Sequence, residues 1–461
     1  MDYSGRNVVV LGLGLTGFSL ARHLAARGAT VRVADTRASP PFADRLRAKL
    51  PELAIAMGPF TPSTFAGVDM IAISPGVAKD APEIAAAVAR GAELVGDIEL
   101  FARSLPATQK LLAITGSNGK TTVTALTGAL VRAAGLDAIV AGNIGDAVLD
   151  ALPRGGIWPD VFVLELSSFQ LETTASLTPV AATVLNVTEN HLDRYTGIDD
   201  YAAAKARIFG KGGIQVLNRD DPRSLAMRLP GRLVQTFGAG TPQTDDAWGL
   251  VDRGGNGRDV WLARGGALLL PVADLKLVGR HNALNALAAL ALASAVTPIK
   301  SDVLTALARF EGLPHRMQRI AEAGGVLYID DSKGTTVAAT QAALDGLDRS
   351  VVLIAGGDGK GQEFAPLLAA VDARCRAVLL IGRDAQRIER ALKGSHAAIE
   401  QVGTLDAAVA RAFELAQPGD AVVLSPACAS LDQFTDYVER GQHFVAKVFR
   451  RHLALETTPH A

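Results

Sequence analysis

The chain reads as an α/β protein of three domains, each built on a mainly parallel sheet with flanking helices. Three observations carry that reading. Short aliphatic runs alternate with helical patterns over most of the length, the signature of strands joined through covering helices. The runs are continuous, as strands buried on both faces must be. Nearly every run ends in Gly, Ser, Asp, Glu or Asn, at the strand ends where open parallel sheets collect ligands.

In chain order, "NVVVLGLG", "TVRVAD" and "DMIAISPG" come first, followed by "KLLAITG", "VFVLELSS" and "AATVLNVT". A stretch at 241–275 is rich in Gly and Asp and holds short pieces such as "DVWLARGG"; it is expected to be a small antiparallel excursion. The runs then resume with "GGVLYIDDSK", "VVLIAGGDGKG", "AVLLIGRD" and "AVVLSPA". A helical pattern stops near 104–106 and a second break falls at 312–314, so domains are expected over 1–105, 106–312 and 313–461. No period of about 20–50 residues recurs, which excludes a solenoid. The tail beyond Leu455 is expected to fray.

The length of 461 residues and a hydrophobic content of 49% suffice to fill several cores, for about two to four domains. With 46 basic and 47 acidic residues, nothing points to a nucleic-acid or anionic-membrane partner. The cysteines are Cys375 and Cys428 alone, without metal-ligand spacing; this excludes a disulfide framework and a zinc site and fits a reducing cytoplasm. The first apolar run is interrupted by Gly12, Gly14 and Gly17 with no basic stretch before it, unlike a signal peptide. The apolar segment at 283–296 contains Asn285 and is too short to cross a bilayer.

"GLGLTG" follows the run "VVVL" and opens a helical pattern, and Asp35 closes the next run. Glycines there let backbone approach a pyrophosphate at a helix N-terminus, and a carboxylate after the second strand holds a ribose or a base edge. The loop by itself admits NAD, another pyrophosphate such as a nucleotide sugar, or glycines that serve only tight strand–helix packing.

"TGSNGKTT" lies between "LLAI" and a second helical pattern, with Ile114 in place of the first glycine of the usual GxxxxGK[ST] phosphate loop. Its N–H groups would cradle phosphates, Lys120 would meet the β and γ oxygens and Thr121 would bind Mg²⁺. Glu165, inside "VFVLEL", is either half of a buried ion pair or a Mg²⁺ ligand. His191, at the end of "AATVLNVT", is either structural or a metal ligand. In "DDYAAAKARIF" a helical period puts Lys205 on one face with Tyr201, Ala204 and Ile208. Such a lysine either reaches back to water or is desolvated, in which case its neutral amine adds CO₂ to form a metal-binding carbamate.

Taken in order over the whole chain, "TGSNGKTT", "LELSSFQLE", "NVTENHLDRY", "GRHNALNALAALA", "LPHR", "DDSKGTT" and "LSPACASLDQF" resemble the Mur ligase family, the ATP-dependent amide-forming enzymes of peptidoglycan precursor synthesis. "GLGLTG", "ADTR", "SPG" and "LSSFQLE" occur together in its glutamate-adding members. The resemblance implies Rossmann-like first and third domains around a P-loop-type ATP-binding centre. It also implies a monomer that adds D-glutamate to UDP-N-acetylmuramoyl-L-alanine through an acyl phosphate, with ATP and two Mg²⁺ sites. On that basis the first loop holds UDP, not NAD, through Leu15, Thr16, Asp35, Thr36, Arg37 and Ser74, while Asn143 and His191 position the muramoyl-alanine end. Gly116, Ser117, Asn118, Gly119, Lys120, Thr121 and Thr122 would hold ATP, joined by Asn285, Arg316 and Asp331. Thr121 and Glu165 would bind one Mg²⁺, and His191 with a carbamylated Lys205 the second. Lys333, Thr335, Lys360, Ser430 and Tyr437 would receive glutamate, and Lys120, His191, Lys205 and Lys333 are the implied catalytic residues. The chain departs from the family at "SKGTT", where SKATN is common, and at Tyr437, where Phe is common.

Three rivals remain at this stage. A NAD-linked oxidoreductase accounts for "GLGLTG" and Asp35 but leaves Lys120, Glu165 and Lys205 without a task. A ligase of the same fold adding another amino acid, or acting on folate, shares the central motifs. A non-catalytic nucleotide-binding regulator would not need every catalytic position filled.

Overall fold

Three sheets organise the chain. The computed structural model describes residues 1–153, 155–189, 194–277 and 279–456, so His191 and the end of the tail lie outside the described residues. In the first sheet β1 (Asn7–Leu11), β2 (Thr30–Asp35), β3 (Ala54–Met57), β4 (Met70–Ile73) and β5 (Glu93–Gly96) stand in the order β3-β2-β1-β4-β5, all parallel. Strand order reverses at β1, which opens a crevice beyond the carboxyl ends of β1 and β4.

The second sheet comprises β6 (Lys110–Thr115), β7 (Ala138–Gly142), β8 (Val161–Glu165), β9 (Ala181–Val184), β10 (Ile214–Asn218), β11 (Val234–Phe237), β12 (Ala247–Asp252), β13 (Val260–Arg264) and β14 (Ala267–Pro271). Their order is β14-β13-β12-β11-β10-β9-β6-β8-β7. Here β6 lies between β8 and β9, parallel to both, and forms a second switch point. The stretch at 241–275 departs from the expected antiparallel excursion in its first strand, because β12 joins β11 in parallel. Trp248 explains the choice: it is fully buried, and its indole N–H donates to Gln235 Oε1 at 2.8 Å.

In the third sheet β15 (Gln318–Ala323), β16 (Val326–Asp330), β17 (Val351–Gly356), β18 (Cys375–Ile381), β19 (Ala398–Gly403) and β20 (Ala421–Leu424) take the order β15-β16-β20-β17-β18-β19. The edge strand β15 is antiparallel to β16 and the other pairs are parallel. Successive side chains alternate between faces: Val351, Leu353 and Ala355 pack in one core cluster and Val352 and Ile354 in the other.

The chain divides into two compact units, one of Met1–Asp252, Leu262–Leu269 and Leu287–Ala306, the other of Arg253–Trp261, Leu270–Ala286 and the chain from Leu307 onward. In the first, the helix Asp97–Ser104 is the seam between two sheets. Glu99 Oε2 accepts from Ala175 N at 2.7 Å and Ser176 N at 2.8 Å, while Oε1 accepts from the Ser176 hydroxyl at 2.6 Å. Phe101 meets Phe162 edge-on with centroids 5.1 Å apart. Among the described residues no helix is long and apolar enough to cross a membrane.

Candidate active site

A cavity of about 600 Å³ opens at the switch point of the first sheet and is closed on its far side by residues that follow β7. Leu15, Thr16, Asp35, Thr36, Arg37, Ser74 and Asn143 all line it; these are the expected UDP-substrate residues apart from His191. The glycine loop is shaped by contact with itself: a side chain at Gly17 would place its Cβ 1.7 Å from Gly12 O. Asp35 works as the loop's brace. Its Oδ2 accepts from Leu13 N at 2.6 Å, and Arg37 donates through its backbone N–H and Nε at 2.9 Å each and through Nη2 at 2.6 Å. The hydrogen bond from the Arg37 side chain holds the Asp35 carboxyl down to about 2, so it stays ionised. Ser74 completes the brace by donating to Gly12 O at 3.0 Å.

The phosphate loop follows β6. Ile114, where the usual pattern has glycine, is a fully buried strand residue registered against Glu165 and Thr183. The flexibility the loop needs sits later, at Gly119, whose φ of 82° precedes the helix Lys120–Ala133. Asn186 holds the loop open by accepting from Ser117 N at 2.9 Å through its carbonyl and from Asn118 N at 2.8 Å through its side chain. Its amide returns a bond to Asn118 O at 3.1 Å. Lys120 Nζ donates to Gly116 O at 2.9 Å and Ser117 O at 3.0 Å. Thr121 and Thr122 occupy the first helical turn, where backbone N–H groups favour anions.

Lys205 resolves the choice left open for its side chain. It does not reach water: it is 1% exposed, its Nζ donates to Gly116 O at 2.9 Å, and the amine sits 4.3 Å from the Tyr201 ring centre. Burial, with the nearby Lys120 charge second, pushes its pKa well below the usual lysine range.

Glu165, at the carboxyl end of β8, joins the two sites. Its Oε1 accepts from Asn143 Nδ2 at 3.0 Å, and its backbone carbonyl accepts from Asn143 N at 2.8 Å. Gly142 is obligatory between them, since a Cβ there would lie 2.1 Å from Glu165 O. Glu165 Oε2 is buried without a hydrogen-bond partner, a costly state for a carboxylate oxygen that a bound cation would relieve. Among the described residues no three His, Cys, Asp or Glu gather as a metal cage.

In the second unit Asp331, Lys333 and Thr335 follow β16, Lys360 follows β17 and Ser430 follows β20, with Tyr437 opening the helix Tyr437–Glu456. Lys333 Nζ lies 3.9 Å from the Tyr437 ring centre. Its N–H donates to His315 O at 3.0 Å, and Thr335 N–H donates to Lys333 O at 2.8 Å. The loops bearing Lys360 and Ser430 are zipped together by two bonds between Asp358 and Ala429, 2.9 Å each. Asp331 accepts from the Ser425 hydroxyl at 2.7 Å and from Met317 N at 3.2 Å, and burial raises its carboxyl to about 7. Asn285 donates to Asn282 Oδ1 at 3.0 Å on the helix Arg280–Ser294, and Arg316 follows the left-handed His315.

Sequence reading missed several residues that build these sites. Asn186 ends its aliphatic run as polar residues do elsewhere, and this was its signal. Gln170, in "SSFQ", lines the cavity and donates to the buried Asp97 at 3.0 Å. Arg440 gave no signal. It is fully buried and donates to the hydroxyl and carbonyl of Ser332 at 3.0 and 2.9 Å and to Cys428 O at 3.1 Å.

Three family models match the chain. Residues 6–96 match the N-terminal domain of MurD-like Mur ligases, 114–293 the Mur ligase middle domain and 315–428 the Mur ligase glutamate ligase domain. The UDP-N-acetylmuramoylalanine--D-glutamate ligase of Aromatoleum aromaticum is 55% identical, covering 97% of this chain and 98% of that protein. The protein of the same name from Thiobacillus denitrificans is 53% identical with 97% of both chains covered. The MurF ligase of Thermotoga maritima, solved with ADP, shares the fold with a TM-score of 0.60 at 17% identity, over 98% of this chain and 96% of that one. The chain is thus an ATP-dependent ligase that forms amide bonds. It belongs to the Mur ligase family.

Proposed function

We propose that this chain adds D-glutamate to UDP-N-acetylmuramoyl-L-alanine in the cytoplasm, using ATP and Mg²⁺. One observation carries the reading: a cavity of ligand size holds all seven described UDP-substrate candidates and is wired through Asn143 to Glu165 at the phosphate loop. The names of the relatives at 55% and 53% identity support the same substrates.

A carboxylate is a poor acylating agent, so its oxygen takes the γ-phosphoryl group of ATP, breaking the bond to the β-phosphate and giving an acyl phosphate and ADP. The amine of glutamate attacks the acyl phosphate, and the tetrahedral adduct collapses with loss of phosphate. Gly116, Ser117, Asn118, Gly119, Thr121 and Thr122 cradle the triphosphate, and Lys120 exchanges its loop carbonyls for phosphate oxygens. Thr121 and the orphan oxygen of Glu165 would hold one Mg²⁺, and His191 with a carbamylated Lys205 would hold a second; the chemistry such ions would supply is charge neutralisation between carboxylate and triphosphate. Asn285, Arg316 and Asp331 grip the nucleotide. Lys333, Thr335, Lys360, Ser430 and Tyr437 receive glutamate. The corresponding domains are 1–105, 106–312 and 313–461.

The test is direct. Purified protein is incubated with ATP, Mg²⁺, UDP-N-acetylmuramoyl-L-alanine and a panel of amino acids. Phosphate release and a new amide with D-glutamate alone are expected. A product with a different amino acid, or none at all, rejects the assignment.

A further inference from the structure

The cavity wall at 75–77 is held by a side chain that is not itself part of the lining. After Ser74 the chain turns, with Val77 N–H donating to Ser74 O at 3.0 Å, and Pro75, Gly76 and Val77 all line the cavity. Arg194, which precedes the helix Ile198–Ala206, is not among the lining residues and bonds to the turn. Its Nη1 donates to Pro75 O at 3.1 Å and its Nη2 to Val77 O at 3.4 Å.

The guanidinium is itself held on two sides. Nη2 also donates to Glu172 Oε2 at 3.1 Å, a carboxylate 5% exposed that Lys79 approaches at 3.5 Å. The guanidinium carbon lies 4.2 Å from the Phe169 ring centre, and Phe169 stacks on Tyr195 with the rings 22° apart. Only a planar fork can hold two carbonyls and a carboxylate while lying on an aromatic face.

Gly76 has no side chain to set its conformation. Peptide units are planar and trans, so a carbonyl fixed on one side fixes the N–H of the next residue on the other. By holding the carbonyls of Pro75 and Val77, Arg194 sets the 75–76 and 77–78 peptide planes, while the 76–77 plane between them is set by the Val77 N–H bond to Ser74 O.

We propose that Arg194 is a positioning residue for the UDP-bearing substrate, acting through the 75–77 wall without touching the ligand. The inference rests on the cavity being that substrate's site. Full-length wild type, Arg194→Ala, Arg194→Lys and Glu172→Gln are compared by steady-state kinetics and by calorimetric titration with UDP-N-acetylmuramoyl-L-alanine. In Arg194→Ala the Kd and KM for that substrate should rise about tenfold, the scale of a lost charge-assisted bond. The KM values for ATP and D-glutamate, and kcat at saturation, should stay within about twofold. Arg194→Lys and Glu172→Gln should move the same constant by a smaller factor. An unchanged UDP-substrate Kd in Arg194→Ala overturns the proposal, and so does a parallel rise in all three KM values, the mark of general loosening. Should Arg194→Ala fail to fold, the same split in the other two variants decides, and no change in either overturns it. Wild type that neither binds nor turns over the UDP substrate rejects the function assignment instead.

Discussion

Lys120 and Lys205 donate to the same acceptor, the carbonyl oxygen of Gly116, each at 2.9 Å. Two amines on one carbonyl in a buried site favour a neutral Lys205, the form that reacts with CO₂. Lys205→Ala should therefore be nearly inactive yet folded. Acetate should restore part of the activity by supplying the missing anionic oxygens, whereas Lys205→Arg, charged and bulky, should not respond. Near-normal turnover by Lys205→Ala without added acid defeats the carbamate role.

Lys120→Ala should separate the two sites. Its amine serves the phosphate loop, so turnover should fall by roughly 10²–10³-fold, as when one transition-state charge contact is removed. Calorimetry should still find the UDP substrate bound with unchanged affinity, because Lys120 is not among the residues that line the cavity. A UDP-substrate affinity lowered more than about tenfold would sink the two-site assignment.

Asp35→Ala should act in the opposite sense, through the loop. It strands the Leu13 N–H, now bonded at 2.6 Å, and frees Arg37. A buried donor left unpaired costs about 1–3 kcal/mol. UDP-substrate binding and thermal stability should both fall while binding of an ATP analogue holds. Weakened ATP-analogue binding of the same size would contradict this.

The pH dependence of stability should carry the signature of Asp331. An ordinary aspartate titrates near 3.8, and this one is raised to about 7 by burial. Between those values the folded chain holds a proton that the unfolded chain has lost, so its contribution is full below about 4 and vanishes as pH rises through about 7. In Asp331→Asn that part of the slope should disappear. Melting curves of both proteins from pH 4 to 8 check it; parallel slopes contradict the assignment.

How legible the molecule is depends on burial and on separation along the chain. Strands buried on both faces, such as β1, β8 and β17, announce themselves as aliphatic runs. β3, β5, β15 and β19 read "AIAM", "ELVG", "QRIAEA" and "AIEQVG"; they are short or lie at edges with partly exposed faces, and no continuous run marks them. Glycines and the loop lysine are legible because backbone crowding and phosphate charge demand those residue types. Asp35 is legible as important, but not as the brace of Leu13 N–H. Asn186 and Arg440 bond to backbone groups 68 and 108 residues away, and no local pattern encodes such a partner.

The Glu99 carboxylate, sunk between the first and second sheets, bears on how this chain can be recombined with its relatives. It gathers three donors from 175–176 and the Arg103 side chain at 2.8 Å. A chimaera with its crossover between the helix Asp97–Ser104 and β6 must import both halves of that socket or leave an anion with mismatched surroundings. The natural cassette for exchange is the first two sheets together, inherited as a single piece.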